Sequence, residues 1–423
     1  MTLPDKECVG CGACAASCPM GCIEMAEDAA GFLRPEVQDE RCSGCGRCEA
    51  VCPSLNPSTH DGLEGAYWAR DTSAAALKAA SSGGVFGLLA STTVDAGGAV
   101  YGAVFGDDWT VGHERTCSLQ GVAALKKSKY AQSRVSPDVY RAARKDLLDG
   151  RPVLFSGTAC QIAGLKAFLG KMSGSELLTC AEVICHGAPS PRLWAQYVAF
   201  LESSHQSKLV SFSFREKEPS WSSYSVRAVF ENGDKWQVPY LDCWFMAAFM
   251  HDLPLRDSCY SCPFKRRSGS DLVLGDFWGV GKVLPSLDAR DGVSAIVANT
   301  AKGKSLLVGL SGCELGEVDY RDVLAGNRSL EIPTPMPEGR ASFVEGIALD
   351  DISELMRAWT FKKSKRQVWS GRARKALRAA GEIGPVGCFR LGIYMLSLLF
   401  RGAGKSFIKE GLKERTAELK STR

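Results

Sequence analysis

The sequence predicts two folds in series, a small α+β segment at the N-terminus and then a larger α/β domain carrying an antiparallel insertion, followed by a basic helical tail. Three observations predict this arrangement. Within the first 53 residues the pattern Cys-x2-Cys-x2-Cys-x3-Cys-Pro occurs twice, as Cys8, Cys11, Cys14, Cys18, Pro19 and as Cys42, Cys45, Cys48, Cys52, Pro53. From about residue 65 strand-like and helix-like runs alternate. From Met356 onward there are 17 Lys and Arg against 4 Glu, about +13, whereas the preceding residues carry 34 basic and 43 acidic side chains, about −9.

The doubled cysteine run is the signature of a two-cluster iron-sulfur ferredoxin. Three thiolates on one tight loop grip three irons of a cubane, and the fourth iron takes a thiolate from elsewhere; in such proteins the last cysteine of each run ligates the other cluster. The expected sets are Cys8, Cys11, Cys14 and Cys52 on one 4Fe-4S cluster, and Cys42, Cys45, Cys48 and Cys18 on the other. Structural zinc favours paired Cys-x2-Cys units rather than triplets. Disulfides belong to exported chains, and Met1–Glu7 shows no apolar signal core. Cys22 falls outside the pattern and reads as a packed thiol.

A ferredoxin-like unit over residues 1–56 leaves most of the 423 residues to something larger, with the 45% apolar and 23% charged composition of a globular protein. Ser54 to Gly62 reads as a polar, Pro- and Gly-containing linker. The α/β domain is expected over residues 65–345. Buried strands are predicted at Gly98 to Phe105, Pro152 to Phe155, Leu177 to Cys185, Asp271 to Leu274 and Val293 to Ala298. Leu209 to Arg215, Tyr224 to Phe230 and Lys235 to Val238 alternate as an antiparallel insertion, with Asn232-Gly233 as the turn of the last pair.

The tail, residues 350–423, contains Leu391 to Phe400, an apolar stretch bounded by Arg390 and Arg401 and far short of the roughly 20 residues that span a bilayer. A basic helix of this kind lies on an anionic membrane surface, docks on a partner or covers the protein's own core. Nothing beyond charge suggests nucleic acid, and none is expected as a partner. A cytoplasmic location is expected, with the inner face of the membrane as the alternative that the tail raises.

Three loops look chemical. Ser81-Ser82-Gly83-Gly84 precedes the helical run Gly87 to Thr92, where a helix N-terminus attracts anions. Phe155-Ser156-Gly157-Thr158-Ala159-Cys160-Gln161 is a strand, a Gly turn and a helix start, the geometry that holds a dinucleotide pyrophosphate. Lys126 to Ser133 concentrates cations and an aromatic, against the plain alternative of a solvated charge run. Ser and Gly are also ordinary caps and turns.

Four further cysteines form a sparser constellation. Cys259 and Cys262 make a Cys-x2-Cys knuckle, while Cys160 and Cys185 each lie at the C-terminal side of a predicted strand, ends that share one edge in a parallel sheet, so convergence of the four thiols is expected. A third cubane is the expectation, zinc the chemical alternative and inert buried thiols the structural one. Inert thiols are the reading for Cys117, Cys180, Cys243, Cys313 and Cys388.

These loops, together with Cys185-His186-Gly187-Ala188-Pro189-Ser190 and Ser270-Asp271-Leu272-Val273-Leu274-Gly275-Asp276-Phe277-Trp278-Gly279, resemble the coenzyme F-420 hydrogenase/dehydrogenase beta-subunit family from roughly Tyr67 to Leu310. The resemblance implies a flavin-binding α/β domain holding FAD and an additional 4Fe-4S cluster. Carried onto this chain, it implies flavin-site roles for Ser82, Gly83, Gly84, Lys129, Gln132, Ser156, Gly157 and Thr158, and cluster ligation by Cys160, Cys185, Cys259 and Cys262. Cys185-His186-Gly187 and Gly275 to Gly279 resemble the bacterial branch, and no residue assigns the deazaflavin coenzyme as substrate. His186 is the candidate proton donor, with a structural imidazole as its plain alternative.

The expected function is an iron-sulfur flavoprotein oxidoreductase passing electrons between ferredoxin-type clusters and FAD to reduce or oxidise a small organic molecule. The alternatives are an electron-transfer subunit relaying electrons to a partner enzyme, and a deazaflavin coenzyme oxidoreductase. The expected partner is ferredoxin or another electron-transfer protein.

Overall fold

The computed structural model describes residues 3–349 and 351–361, and thirteen strands within them form three sheets. In chain order the strands are β1 (Ile23–Glu27), β2 (Leu33–Val37), β3 (Gly65–Asp71), β4 (Ala99–Phe105), β5 (Val111–Thr116), β6 (Val153–Gly157), β7 (Leu178–Val183), β8 (Leu209–Ser220), β9 (Ser223–Phe230), β10 (Lys235–Pro239), β11 (Leu272–Asp276), β12 (Ser294–Ala298) and β13 (Cys313–Val318). An eight-stranded sheet of order β13-β3-β12-β11-β7-β6-β4-β5 organises the α/β region. Its centre, β4-β6-β7-β11, is parallel; β5 on one side and β12, β3 and β13 on the other run antiparallel to their neighbours.

The central strands are short apolar runs because both faces are covered. Every residue of β6 is buried. Successive side chains of a strand point to opposite faces, and two separate cores result. Tyr101, Val153, Phe155 and Cys180 pack with Tyr140, Ile162 and Leu165 of the helices Pro137–Leu148 and Ala159–Leu169. Val100, Leu154, Ala181 and Leu274 pack with Val85 and Leu89 of the helix Val85–Asp95 and Val122 of Leu119–Leu125. The helix after Ser81-Ser82-Gly83 starts earlier than the predicted Gly87, because Gly84 takes the left-handed φ of 85° that caps it.

The predicted insertion forms a three-stranded antiparallel sheet of order β10-β9-β8, with Gly233 at φ 89° in its turn. It is tied to the large sheet by Arg215 of β8, 3% exposed, which pairs with Asp276 at the end of β11. The sequence pattern left β1, β2, β3, β5 and β13 unread; all of these but β3 are short and half-exposed.

The N-terminal segment contributes the β1-β2 hairpin and the helices Ala13–Ser17 and Arg47–Ala50. Its first cysteine run is packed into the α/β region. Val9, Cys11, Ala13 and Ala16 join the core of Tyr101, Tyr140 and Phe155, and Tyr140 Oη donates to the Cys11 carbonyl at 2.9 Å. The linker ends on Asp61, whose carboxylate accepts the backbone N–H of Gly269 at 2.8 Å. Residues up to Thr360 form one compact unit. The tail begins with the helix Ile352–Ala358, whereas Cys388 and Leu391 to Phe400 lie outside the described residues.

The contact of the first run with the helix Ala159–Leu169 is close enough to test by substitution. A Cβ on Gly164 would lie 2.9 Å from Cys11 Cβ and from Tyr140 Oη. Overpacking costs about 1–3 kcal/mol and outweighs the ~1 kcal/mol that Ala gains in helix propensity. Gly164→Ala is expected to lower unfolding free energy by about 1 kcal/mol in anaerobic denaturant titrations, whereas Gly174→Ala, with no atom within 4 Å of its Cβ position, stays within about 0.5 kcal/mol.

Candidate metal and cofactor site

Parallel pairing of β6 with β7 sets their C-terminal ends side by side, Gly157 opposite Glu182. Cys160 sits in the first turn of the helix after β6, and Cys185 follows β7 by two residues. Cys259 lies in the short 3-10 turn Asp257–Ser261 and Cys262 caps it. All four line one cavity of about 760 Å³. Burial raises each thiol, Cys259 to about 12, and the neighbouring sulfurs add to this: Cys262, Cys185 and Cys259 all push Cys160 up. Thiolates in that setting need compensating charge, and two cations supply it. Lys265 Nζ donates to the Cys185 carbonyl at 2.7 Å and works against the rise at Cys185 and Cys262, as Arg256 does at Cys259. Thr158 Oγ1 lies 3.2 Å from Cys160 Sγ, and Ala188 donates its N–H to Cys259 Sγ at 3.3 Å. Among the described residues no three His, Cys, Asp or Glu side chains are arranged to hold a metal ion as they stand.

In the N-terminal segment Cys52, from the second run, lies beside the first. Burial raises Cys14 to about 12, with Cys8 and Cys52 as neighbouring causes, and Cys11 is raised by burial and then by Cys14, Cys8 and Cys52. Cys18, from the first run, lies near Cys45 of the second. Cys22 is buried with its Sγ 3.4 Å from Cys18 Sγ.

Of the eight residues that the resemblance assigned to a flavin, all but Gly83 line the cavity. The backbone of β12 requires glycine at position 83, since a Cβ there would stand 2.6 Å from Ser294 N. Ser82 Oγ donates to the Val293 carbonyl at 3.1 Å. Thr158 gives both its N–H and its hydroxyl to Gln161 Oε1, at 2.9 and 3.1 Å. Gln132 spends its amide elsewhere, donating to the Val9 carbonyl at 2.9 Å and accepting from Arg256 at 3.1 Å. Lys129 Nζ donates to the carbonyls of Ala124 and Lys126, both at 2.8 Å, and burial pulls its pKa down to about 7.

His186 lines the cavity at the edge where the four thiols lie, its Nε2 paired with Asp252 and its ring edge-on to Phe249 at 5.2 Å. Sequence reasoning passed over a second imidazole. His113 of β5 is buried with Nε2 on the Ser156 carbonyl at 2.9 Å and Nδ1 on Ser133 Oγ at 2.7 Å. A carbonyl only accepts, so the proton is on Nε2 and the Ser133 hydroxyl donates to Nδ1. Burial pulls His113 down to about 4 and keeps it neutral. No signal marked it, because its strand was not read.

Sequence reasoning also missed Arg215, Lys217 and Glu182. Arg215 reaches both oxygens of Asp276, at 2.8 and 3.2 Å, and lies over the Tyr224 ring at 4.2 Å, while its Nε is buried without a partner. Asp276 also accepts Trp221 Nε1 at 2.7 Å, and Trp221 stacks on Trp278 at 5.0 Å. Lys217 Nζ holds the carbonyls of Leu77 and Ser82 at 2.6 and 2.7 Å. Burial pushes Glu182 up to about 7. The Asp276-Phe277-Trp278 motif was legible; its cationic partner was not, because it comes from β8.

The charges give the cavity a pH dependence. Lys129 is cationic below about pH 7 and neutral above it. An anion held there is expected to lose about two- to tenfold in affinity between about pH 6 and pH 8.5. Lys129→Met, neutral throughout, should bind more weakly at the acid end and lose most of that pH dependence, as calorimetry with pyrophosphate would show.

Residues 150–317 match the family model for the coenzyme F420 hydrogenase/dehydrogenase beta subunit, C terminus. Residues 7–56 match the 4Fe-4S dicluster domain. Among solved structures, the chain is similar to one from the xenon-derivatised F420-reducing NiFe hydrogenase complex of Methanosarcina barkeri, at 16% identity and a TM-score of 0.41, covering 71% of this chain and 92% of that one. The comparison with curated proteins gives no match. The chain is therefore an iron-sulfur protein that carries a 4Fe-4S dicluster domain and, after it, a region related to the C-terminal part of the coenzyme F420 hydrogenase/dehydrogenase beta subunit.

Proposed function

We propose that this protein is an oxidoreductase in which the two N-terminal clusters exchange electrons with a third 4Fe-4S cluster and an FAD in the α/β cavity, where a small organic substrate is reduced or oxidised. The observation that carries the reading is the arrival of Cys160, Cys185, Cys259 and Cys262 at one cavity wall from three separate parts of the chain. Soft thiolates in a set of four suit an iron-sulfur centre. A cavity of about 760 Å³ lies in the range of cofactor sites. The buried, unpartnered Nε of Arg215 in its wall is a donor that a ligand would satisfy.

Bound flavin collects single electrons from clusters and delivers them in pairs. The chain's own residues have three tasks around it. Lys129 and Lys217 place positive charge near the loops Ser81 to Gly84 and Ser156 to Thr158, where a dinucleotide's phosphates are neutralised. His113 and Gln161 hold the second loop in shape. Asp252 holds the His186 ring through Nε2, which leaves Nδ1 to give or take the substrate proton.

Anaerobic purification with iron and flavin counted per chain tests the reading. The expected result is about 12 Fe and one FAD, and Cys259→Ala with Cys262→Ala should remove about 4 Fe and spare the N-terminal pair. A count of about 8 Fe with no flavin would sink it. His186→Asn is expected to lower turnover by about 100-fold with iron and flavin content unchanged. Assays against a panel of acceptors that includes the deazaflavin coenzyme separate that activity from others.

A further inference from the structure

The two N-terminal cysteine sets differ in exposure. Cys8, Cys11, Cys14 and Cys52 are 8%, 7%, 9% and 9% exposed. In the other set Cys45 is exposed and Cys42 and Cys18 are half-buried, while Cys48 is buried at 5%. The buried set is also the one held against the cavity. The Cys8 carbonyl accepts from Arg256 Nε at 2.7 Å and from Ser258 Oγ at 3.1 Å, and Ser258 is the residue before Cys259. Arg256, 1% exposed, reaches the Leu33 carbonyl as well, at 2.8 Å. Cys11 lies against Gly164, where a Cβ would stand 3.0 Å from Cys11 Sγ. Gly164 is about one helical turn beyond Cys160. Residues beside two of the four cavity thiols therefore touch the buried set.

The exposed set has acidic neighbours. Asp39 and Glu40, both exposed, fall within three residues of Cys42, and the exposed Glu24 and Glu36 pair across the β1-β2 hairpin, against the exposed Arg41 and Arg47. Arg41 is tied to the Met20 carbonyl at 3.1 Å and to Gln38 Oε1 at 2.8 Å, and the Met20 side chain beside it is 48% exposed. Acidic side chains, the negative charge that four thiolates bring to a cluster, and an apolar residue at the rim together define a contact face for a cationic protein.

We propose that electrons cross the boundary of this protein at the set Cys42, Cys45, Cys48 and Cys18, over which a one-electron redox protein with a basic surface docks, and then pass through the set Cys8, Cys11, Cys14 and Cys52 toward the cavity. Each encounter oxidises the partner by one electron and reduces the exposed centre by one, and two encounters supply the pair that a two-electron acceptor takes. The inference rests on both N-terminal centres being present and only its final leg on the function proposed above.

The test uses cytochrome c as a basic one-electron probe, run in the outward direction with dithionite-reduced, desalted holoprotein under argon. The cytochrome reduction rate is expected to fall at least tenfold between about 20 mM and about 500 mM salt. Asp39→Lys with Glu40→Lys should lower the low-salt rate about tenfold and flatten the salt dependence, whereas Glu338→Lys, exposed and elsewhere on the surface, leaves both unchanged. Iron release to a chelator gives a second readout, with about 4 Fe expected in a fast phase that Cys45→Ala abolishes. Equal rates for wild type and the Asp39/Glu40 variant, or a fast phase that survives in Cys45→Ala, would overturn the proposal. A preparation with about 8 Fe and no flavin that still shows the acid-dependent exchange would retain the inlet while the function proposed above fails.

Discussion

The parallel pairing of β6 with β7 is the constraint on which the rest depends. Register Val153 to Leu178 through Gly157 to Glu182 delivers the loop bearing Thr158 and Cys160 beside the loop bearing Cys185 and His186. Parallel pairing demands a crossover, and the crossover is the helix Ala159–Leu169. That helix therefore does two things. Its first turn presents Cys160 to the cavity, and its middle, at Gly164, receives the N-terminal segment. A slip in the sheet would separate the thiols and lose the docking surface for Cys11 together.

The N-terminal segment is built in rather than tethered. Its linker is bonded to the α/β region at Ser58, Asp61 and Gly62, and the segment itself is attached by the apolar contacts of its first cysteine run and by buried polar contacts from the α/β side. Arg256 is the centre of these, bonded to the carbonyls of Cys8 and Leu33 and to Gln132, which in turn holds Val9. A guanidinium buried this fully has its donors on fixed acceptors, which makes it a rigid link rather than a flexible one. The same residue opens the turn that carries Cys259 and Cys262, so it couples the position of two cysteine sets.

Several cations of the cavity are held in one way. Lys129, Lys265 and Arg256, which line it, and Lys217 at the Ser82 carbonyl donate to main-chain carbonyls instead of carboxylates, so no carboxylate cancels the charge they carry. The carboxylates that line the cavity are occupied: Asp276 by Arg215 and Trp221, Glu182 by Ser268 and Ser270, and Asp71 by the Ser73 N–H. An electropositive, low-dielectric wall is the setting in which thiolates and phosphates are stabilised.

By itself the sequence determined whatever is local. Cluster chemistry was legible because three ligands fall on one loop at fixed spacing, and the strands at Val153, Leu178, Leu272 and Ser294 were legible because both faces are apolar. The insertion was legible because Asn232-Gly233 joins two alternating runs. Tertiary structure decided what depends on distant chain. His113 and β13 lie on half-exposed strands with no periodic signal. Gln132, assigned toward a flavin by resemblance, has its amide committed to Val9 and Arg256, since its neighbour in space is 123 residues away in the chain. Arg215 finds Asp276 across 61 residues. Spacing along the chain encodes a metal loop because chelation is short-range, whereas the side of a cluster that faces solvent is decided only when the sheet, its crossover helix and Arg256 close around it.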